Sequence, residues 1–390
     1  MTHSILWTLE VISTIGAISS LIYYGVSSRS AAQFYAGQIA ARSRALSFLP
    51  PVSILKPLKG TDPEMYKAFR SHCLQDYPQY EILFGVSEAD DPALALVEQL
   101  KSEFPEREIR IVYCEQNLGT NTKISNLAQM LPQARFDHLL VNDSDIRVES
   151  QYLKSVIGPL ENEMTGLVTC LYRGNASATL GSQLEALGIG TDFAAGVLTA
   201  RHLEGGIRFG MGSTLAFRRA DLKSIGGFEA LLDYLADDYQ MGYRLAAEGK
   251  NVALSETVVE TSLPAYSLRA FWHHQLRWAR TVRDSRRSGY LGLIFTFGLF
   301  WALLTAVLAH GARWAWGLLV ATIALRVVQA VTTGRFCLQD HQIVPLLWLL
   351  PLRDLIAVAI WLASLFGNSI RWRGELFYLR KGKLVRGARE

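Results

Sequence analysis

Two aspartates one residue apart, Asp143 and Asp145, close the run His138-Leu139-Leu140-Val141-Asn142. An apolar run of this length reads as a buried strand. Acids that follow it stand at the carboxyl edge of a sheet, where open α/β sheets bind ligands. Two carboxylates in Asp-x-Asp spacing are hard oxygen donors. They suit a divalent cation that keeps its other positions for water and substrate phosphates. The chemistry this implies is the binding of a nucleotide-linked substrate with Mg²⁺ or Mn²⁺. Asp, Asn and Ser also favour turns, so a plain strand-to-turn junction accounts for the same residues.

Two further acid clusters stand at element ends. Asp90-Asp91-Pro92 follows the apolar run Tyr80 to Val86. Asp91 could accept a hydrogen bond from a base or a ribose hydroxyl, or cap a helix that starts with Pro92. Asp237-Asp238 opens a helix that runs to Ala247 and is ended by Gly249. Acids there complement the helix dipole, and a carboxylate so placed could also serve as a general base toward an alcohol. The turn Phe209-Gly210-Met211-Gly212-Ser213-Thr214 would let backbone approach a sugar or a phosphate. Last comes His273-His274-Gln275-Leu276-Arg277-Trp278. Arg277 could clamp a diphosphate bidentately. Trp272 and Trp278 suit a membrane interface, and an amphipathic interfacial helix explains the segment equally. Adjacent histidines do not share a helix face, which argues against a two-histidine metal site.

The elements that must position these groups alternate. Strands are expected at Val52–Leu55, Tyr80–Val86, Ile109–Tyr113 and Leu139–Val141. Helices are expected at Pro63–Leu74 with Asp62 as N-cap, at Pro92–Phe104 and at Lys123–Met130. That alternation predicts an α/β fold with a mostly parallel, doubly wound sheet. Leu180 to Thr199 reads as a core helix or as a lining for the acceptor's path, the former being the better fit. No internal repeats or low-complexity segments interrupt the pattern.

The chain has 390 residues, half of them hydrophobic, with a net charge of +4 and a positive mean hydropathy. The apolar excess lies at the two ends: Ile5–Val26, Leu291–Ala309, Trp314–Thr332 and Ile343–Phe366. Each is near the roughly 20 residues that cross a bilayer. The first has an internal acid and no preceding basic residue, unlike a signal peptide. Arg29, Arg42 and Arg44 follow it, which places the middle of the chain in the cytoplasm. A basic tail containing Arg371, Arg373, Arg380, Lys381, Lys383, Arg386 and Arg389 is expected to be solvated and to face headgroups. Four crossings would put that tail outside, so it argues for an odd number. The Arg353-Asp354 pair would let the last segment re-enter rather than span. No aromatic-interleaved basic patch points to nucleic acid. Four cysteines without CxxC spacing indicate a reduced compartment and neither disulfides nor zinc.

Several strings in order carry a resemblance: Leu55-Lys56-Pro57-Leu58-Lys59-Gly60, Asp76-Tyr77-Pro78-Gln79-Tyr80, Asp90-Asp91-Pro92, Lys123-Ile124-Ser125-Asn126-Leu127, Asp143-Ser144-Asp145-Ile146-Arg147-Val148 and Asp237-Asp238-Tyr239. Over nearly its whole length the chain resembles the membrane-bound ceramide glucosyltransferases and their bacterial relatives, including hopanoid-biosynthesis glycosyltransferases. The resemblance implies a GT-A fold and an inverting transfer of one sugar, glucose or N-acetylglucosamine. The donor would be a UDP-sugar and the acceptor a hydroxyl of a membrane lipid, of ceramide or hopanoid type.

Carried over residue by residue, Asp91 contacts the uridine end. Asp143 with Asp145 holds the metal and the donor diphosphate, and Asp238 is the catalytic base. Lys123, Arg277 and Trp278 join the donor site. His274 stands where the family has Gln or Arg, and Asp145 where the animal enzymes have glycine, which favours a bacterial branch and an inner-membrane location. The implied organisation is an anchor at 1–28, a linker at 29–49, a catalytic domain at 50–270, an interfacial helix at 271–288, membrane segments at 289–370 and the tail at 371–390. A processive polysaccharide synthase and a catalytically silent scaffold are the alternatives. All of this requires that carboxylates far apart in sequence meet at one pocket.

Overall fold

The computed structural model describes residues 2–41, 47–372 and 375–386. Arg42, Arg44, Arg373, Gly374 and Arg389 lie outside the described residues. The chain divides into two compact units. One contains residues 37–175, 203–264 and 377–390, and the other residues 1–36, 176–202 and 265–376.

The first unit is built on one eight-stranded sheet. Its strands are β1 (Val52–Pro57), β2 (Tyr80–Val86), β3 (Glu108–Tyr113), β4 (His138–Val141), β5 (Ile146–Arg147), β6 (Thr165–Asn175), β7 (Leu215–Arg218) and β8 (Asn251–Ser262). They lie in the order β3-β2-β1-β4-β7-β6-β8-β5. The β3-β2-β1-β4 half is parallel, as is β6-β8. Strand β7 runs antiparallel to both neighbours, and β5 antiparallel to β8. Every residue of β1 and β2 is buried. Strands β1 and β2 are therefore enclosed on both faces and mostly apolar rather than alternating, whereas β3 at the sheet edge is only half-buried. Chain order reverses between β1 and β4. Their carboxyl ends therefore open a crevice at the switch point, and Asp143 follows β4 directly into it.

Four expectations need correction. The first concerns the helix expected over Pro63–Leu74, which runs Met65–Cys73, its cap position Glu64 having a left-handed φ of 55°. Asp62 does not cap it with its side chain, because that carboxylate accepts the Ser144 hydroxyl at 2.5 Å. The expected linker is the second. One helix, Thr2–Ala41, runs through most of it. Residues 27–41 hold no proline and several good helix formers, and the Ser28 and Ser30 hydroxyls fold back onto carbonyls four residues earlier. Its 40 residues span about 60 Å, twice the hydrocarbon thickness of a bilayer.

The tail is the third. Its described basic residues are exposed, as expected; what was not expected is that strands Glu375–Arg380 and Lys383–Arg386 form an antiparallel hairpin. Phe377, Leu379 and Leu384 are buried beneath it, a period-two pattern that the count of basic residues had hidden. The fourth is the apolar run Leu291–Ala309. It is broken into Arg287–Thr296 and Gly298–Leu308, bent by 51°.

Among the described residues, three helical stretches are long and apolar enough to cross a membrane: Ser4–Ala41, of which residues 4–36 belong to the second unit, and Arg313–Cys337 and Ile343–Ser364, which lie wholly in it. Two arginines inside them, Arg326 and Arg353, are buried. Arg326 is 5% exposed. Its Nη2 donates to Asp192 at 2.5 Å and to Asp354 at 2.7 Å, and its Nη1 donates to the Thr191 carbonyl at 3.2 Å. Arg353 sits 3.2 Å from Asp192 and donates to Gln275 at 3.1 Å. Ionisable groups in apolar spans are costly unless paired inside the bundle, and these are paired. Asp192 lies in a π-helical turn, Ile189–Phe193, within the Leu180–Thr199 segment. The segment is a largely buried helical element, as expected.

Candidate active site

The strand end at β4 is held from below. Asn142, fully buried, donates from Nδ2 to the Ser213 carbonyl at 2.7 Å and to the Tyr152 hydroxyl at 2.8 Å. This bond ties the Asp-x-Asp turn to the glycine turn 209–214. Lys56, the last polar residue of a buried strand, has no exposed surface. Its ammonium donates to the Asp143 carbonyl at 3.2 Å. Burial draws Lys56 down to about 7, although Asp145 and Asp143 oppose that shift. Neither Asn142 nor Lys56 was singled out in the sequence. A lysine inside a mostly apolar strand was the signal available.

Above this floor the acids meet. Lys123, in the first turn of helix Thr122–Met130, donates to Asp143 Oδ1 at 2.7 Å and stands 3.5 Å from Asp237 Oδ2. Burial would lower the lysine's pKa, but the carboxylates of Asp143 and Asp237 outweigh it and raise it. The N-cap of this helix, Asn121, reaches across to Asp237 Oδ1 at 3.3 Å. Helix Asp237–Ala247 begins with the acid pair and ends as expected, before Gly249. Asp238 Oδ2 accepts the Gly212 N–H at 2.7 Å and Oδ1 accepts its neighbour Tyr239 N–H at 2.7 Å. A methyl placed on Gly212 would lie 3.1 Å from Asp143 Oδ2, 3.4 Å from Asp238 Oδ2 and 3.4 Å from Lys123 Nζ. The two carboxylates and the ammonium therefore surround one point over a residue without a side chain.

Burial, then the charge of Asp237, raises Asp238 to about 6. Burial, then the charge of Asp143, raises Asp145 to about 6 as well. Asp145 is held by the Thr261 hydroxyl of β8. Asp237 is raised too, mainly by burial. Three carboxylates around one ammonium leave an excess of negative charge, and their oxygens are hard donors. Among the described residues no three His, Cys, Asp or Glu side chains close into a ready cation cage. Asp143 and Asp145 would thus supply two ligands, with phosphate and water completing the shell.

Asp91 is placed differently. Its Oδ1 accepts the Ala93 N–H and its Oδ2 the Gly60 N–H, both at 2.9 Å. It caps the helix Ala93–Glu103 and pins the loop after β1. Arg277 and Trp278 lie on helix Leu268–Ser285, in the other unit. There the ring of Trp278 packs edge-on against His274 at 5.7 Å and Phe193 at 6.0 Å. His274 is pushed down to about 3, by burial and then by Arg277, so it is neutral.

A strand-end Asp-x-Asp, an acid pair opening a later helix and a glycine turn between them are the features to match against known proteins. The sequence profile of Glycosyl transferase family 21 matches residues 12–385. The chain belongs to that family. Ceramide glucosyltransferase 3 of Caenorhabditis elegans is 25% identical over 351 residues, covering 86% of this chain and 74% of the relative. The ceramide glucosyltransferase of Komagataella phaffii is 32% identical over 117 residues, covering 29% of this chain and 23% of the relative. Among solved structures, a mannosyltransferase from Pyrobaculum calidifontis, in complex with GDP-Man and Mn²⁺, superposes with a TM-score of 0.51 at 16% identity. That match covers 91% of this chain and 99% of the other. The fold of this family 21 member is GT-A: an α/β unit with a mixed, mostly parallel sheet, accompanied by long apolar helices. Those helices fit a membrane protein, and the enzyme is a glycosyltransferase.

Proposed function

We propose that this glycosyltransferase moves one hexose from a UDP-sugar to the hydroxyl of a ceramide- or hopanoid-type membrane lipid, with inversion. One observation carries the reading: Asp143, Lys123 and Asp238 stand around the same point above Gly212. A donor diphosphate needs charge balance on one side of the anomeric carbon, and an attacking alcohol needs a base on the other. Asp238 is the proposed base. At a pKa of about 6 it is ionised at neutral pH yet still basic enough to take a proton. The Gly212 and Tyr239 N–H groups fix its orientation. As the lipid oxygen bonds to the anomeric carbon, its proton passes to Asp238 and UDP departs from the opposite face.

Asp143 and Asp145 are the proposed ligands for Mg²⁺ or Mn²⁺, which when bound would neutralise the leaving diphosphate. Lys123 adds a positive charge on the same side. Asp91, with both oxygens already accepting backbone N–H groups, is proposed to meet the uridine through its remaining lone pairs. Arg277 and Trp278 are kept as donor-side residues on the strength of their motif. The relatives' names favour ceramide and glucose.

Membranes containing the full chain, incubated with labelled UDP-glucose and UDP-N-acetylglucosamine, should yield one new glycolipid by mass spectrometry of extracted lipids. Asp238→Asn should abolish it, and EDTA should suppress it until Mn²⁺ is restored. Transfer at the parental rate by Asp238→Asn would remove the base assignment.

A further inference from the structure

The C-terminal hairpin has two unlike faces. Its turn residues, Lys381 and Gly382, both take positive φ, 52° and 78°, the two-residue turn that matches strand twist. Phe377 pairs with Arg386, Tyr378 with Val385, Leu379 with Leu384 and Arg380 with Lys383.

The inner face fastens the loop that leads into Asp237-Asp238. Leu235 donates its N–H to the Gly382 carbonyl at 3.2 Å, and Leu384 donates to the Asp233 carbonyl at 2.7 Å. The ring of Tyr234 carries both Lys383 Nζ and the Arg244 guanidinium, each 5.4 Å from its centroid. From the other direction, Asn121 Nδ2 donates to the Tyr234 carbonyl at 2.8 Å. The loop before the candidate base is therefore gripped from both sides, once by the hairpin.

The outer face is different. The cross-strand pair Tyr378 and Val385 is 38% and 41% exposed. Arg380, Lys381 and Arg386 are exposed around it. An aromatic and an aliphatic side chain ringed by cations suit a phospholipid surface, with the ring at headgroup level and the cations on phosphates. The covalent path favours the same partner. The apolar helix Leu350–Ser364 ends 13 residues before Phe377, a separation of at most about 47 Å. The fastening to Asp233 and Leu235 also puts the hairpin on the same side of a membrane as the sheet. An even number of crossings must then separate residue 264 from residue 377. Arg313–Cys337 and Ile343–Ser364 are long and apolar enough to supply two.

We propose that the outer face of this hairpin is a docking surface for anionic phospholipid headgroups, which ties the bilayer surface to the loop preceding Asp238. Only the activity arm of its test rests on the proposed function. The four cysteines are buried, so a Tyr378→Cys variant of the full chain takes a fluorescent label at one exposed site. It is reconstituted into phosphatidylcholine vesicles, with or without phosphatidylglycerol, each carrying a lipid-borne quencher. Phosphatidylglycerol should increase quenching several-fold, salt should reverse the increase, and Arg380→Gln/Lys381→Gln/Arg386→Gln on the same background should lose it. In parallel, with ceramide in every vesicle as acceptor and labelled UDP-glucose outside, phosphatidylglycerol should raise lipid transfer several-fold in the parent and leave the triple variant flat, the two being equal without phosphatidylglycerol. Quenching indifferent to phosphatidylglycerol, or a triple variant that responds like the parent, overturns the proposal. If no vesicle supports transfer, the proposed function falls, and quenching alone decides the docking surface.

Discussion

Gly212→Ala separates the site from the fold. The glycine's φ is not left-handed, so alanine meets no backbone strain there. Its methyl would sit 3.1 Å from Asp143 Oδ2 and 3.4 Å from both Asp238 Oδ2 and Lys123 Nζ. Contacts that close force the neighbours back by a few tenths of an ångström. The Asp143 side chain is 43% exposed and free to yield, so the folding cost should stay within about 1 kcal/mol, a fall in Tm of roughly 2–4 °C. The catalytic cost should be far larger. The displaced groups are the proposed base and the charges facing the donor, and the methyl fills the space between them. Misplacing reacting groups on this scale costs on the order of 100-fold, or about 2.7 kcal/mol of transition-state stabilisation. Steady-state transfer kinetics and thermal melting of the same purified preparation measure both quantities. Parental kcat/KM in Gly212→Ala would show that the reaction does not occur over this residue. A collapse in Tm that matches the loss of activity would make the glycine a packing residue instead.

Two other outcomes follow from the same geometry. With Asp238 raised to about 6, kcat/KM should climb about tenfold per pH unit below that value and level off above it. Stability should run the other way. The fold prefers the protonated carboxyl, so the contribution is full below about pH 4 and is lost as pH rises through about 6, with Asp145 adding to the same trend. A flat pH–rate profile across that window would refute the assignment. In the helical unit, Arg326→Met removes the cation that Asp192 and Asp354 share, leaving Arg353 beside Asp192, and should cost about 3–5 kcal/mol, with part restored by adding Asp354→Asn. Melting of the detergent-solubilised protein tests this, and an unchanged Tm in the single variant would mean that the cluster holds nothing together.

The central strands β1, β2 and β4 of the sheet's parallel half were legible because they are buried on both faces. Burial of that kind writes itself as an unbroken apolar run with helical periodicity between runs, and β2 spans the residues the run marked. The acids at strand and helix ends were legible for the same reason, since element boundaries are local. Asp91 was only half legible: its cap on Ala93 is local, but its bond to Gly60 exists only once β1 and β2 pair. The hairpin was missed because seven basic residues outweighed a short alternation of apolar ones.

The amino-acid sequence by itself determined the order of the elements, the apolar stretches able to enter a membrane, and the identity of the acids at the carboxyl edge. Each of these depends on neighbours along the chain. What only the tertiary structure decided is who stands beside whom. Lys123 lies between Asp143 and Asp237, and Gly212 leaves room between Asp143 and Asp238. Asn142 ties two turns together, and residues 382 and 384 hold the loop at 233–235. These are contacts across tens to more than a hundred residues. The side chains carry no mark of such partners, because it is strand order and register, set by the packing of the whole sheet, that bring them together.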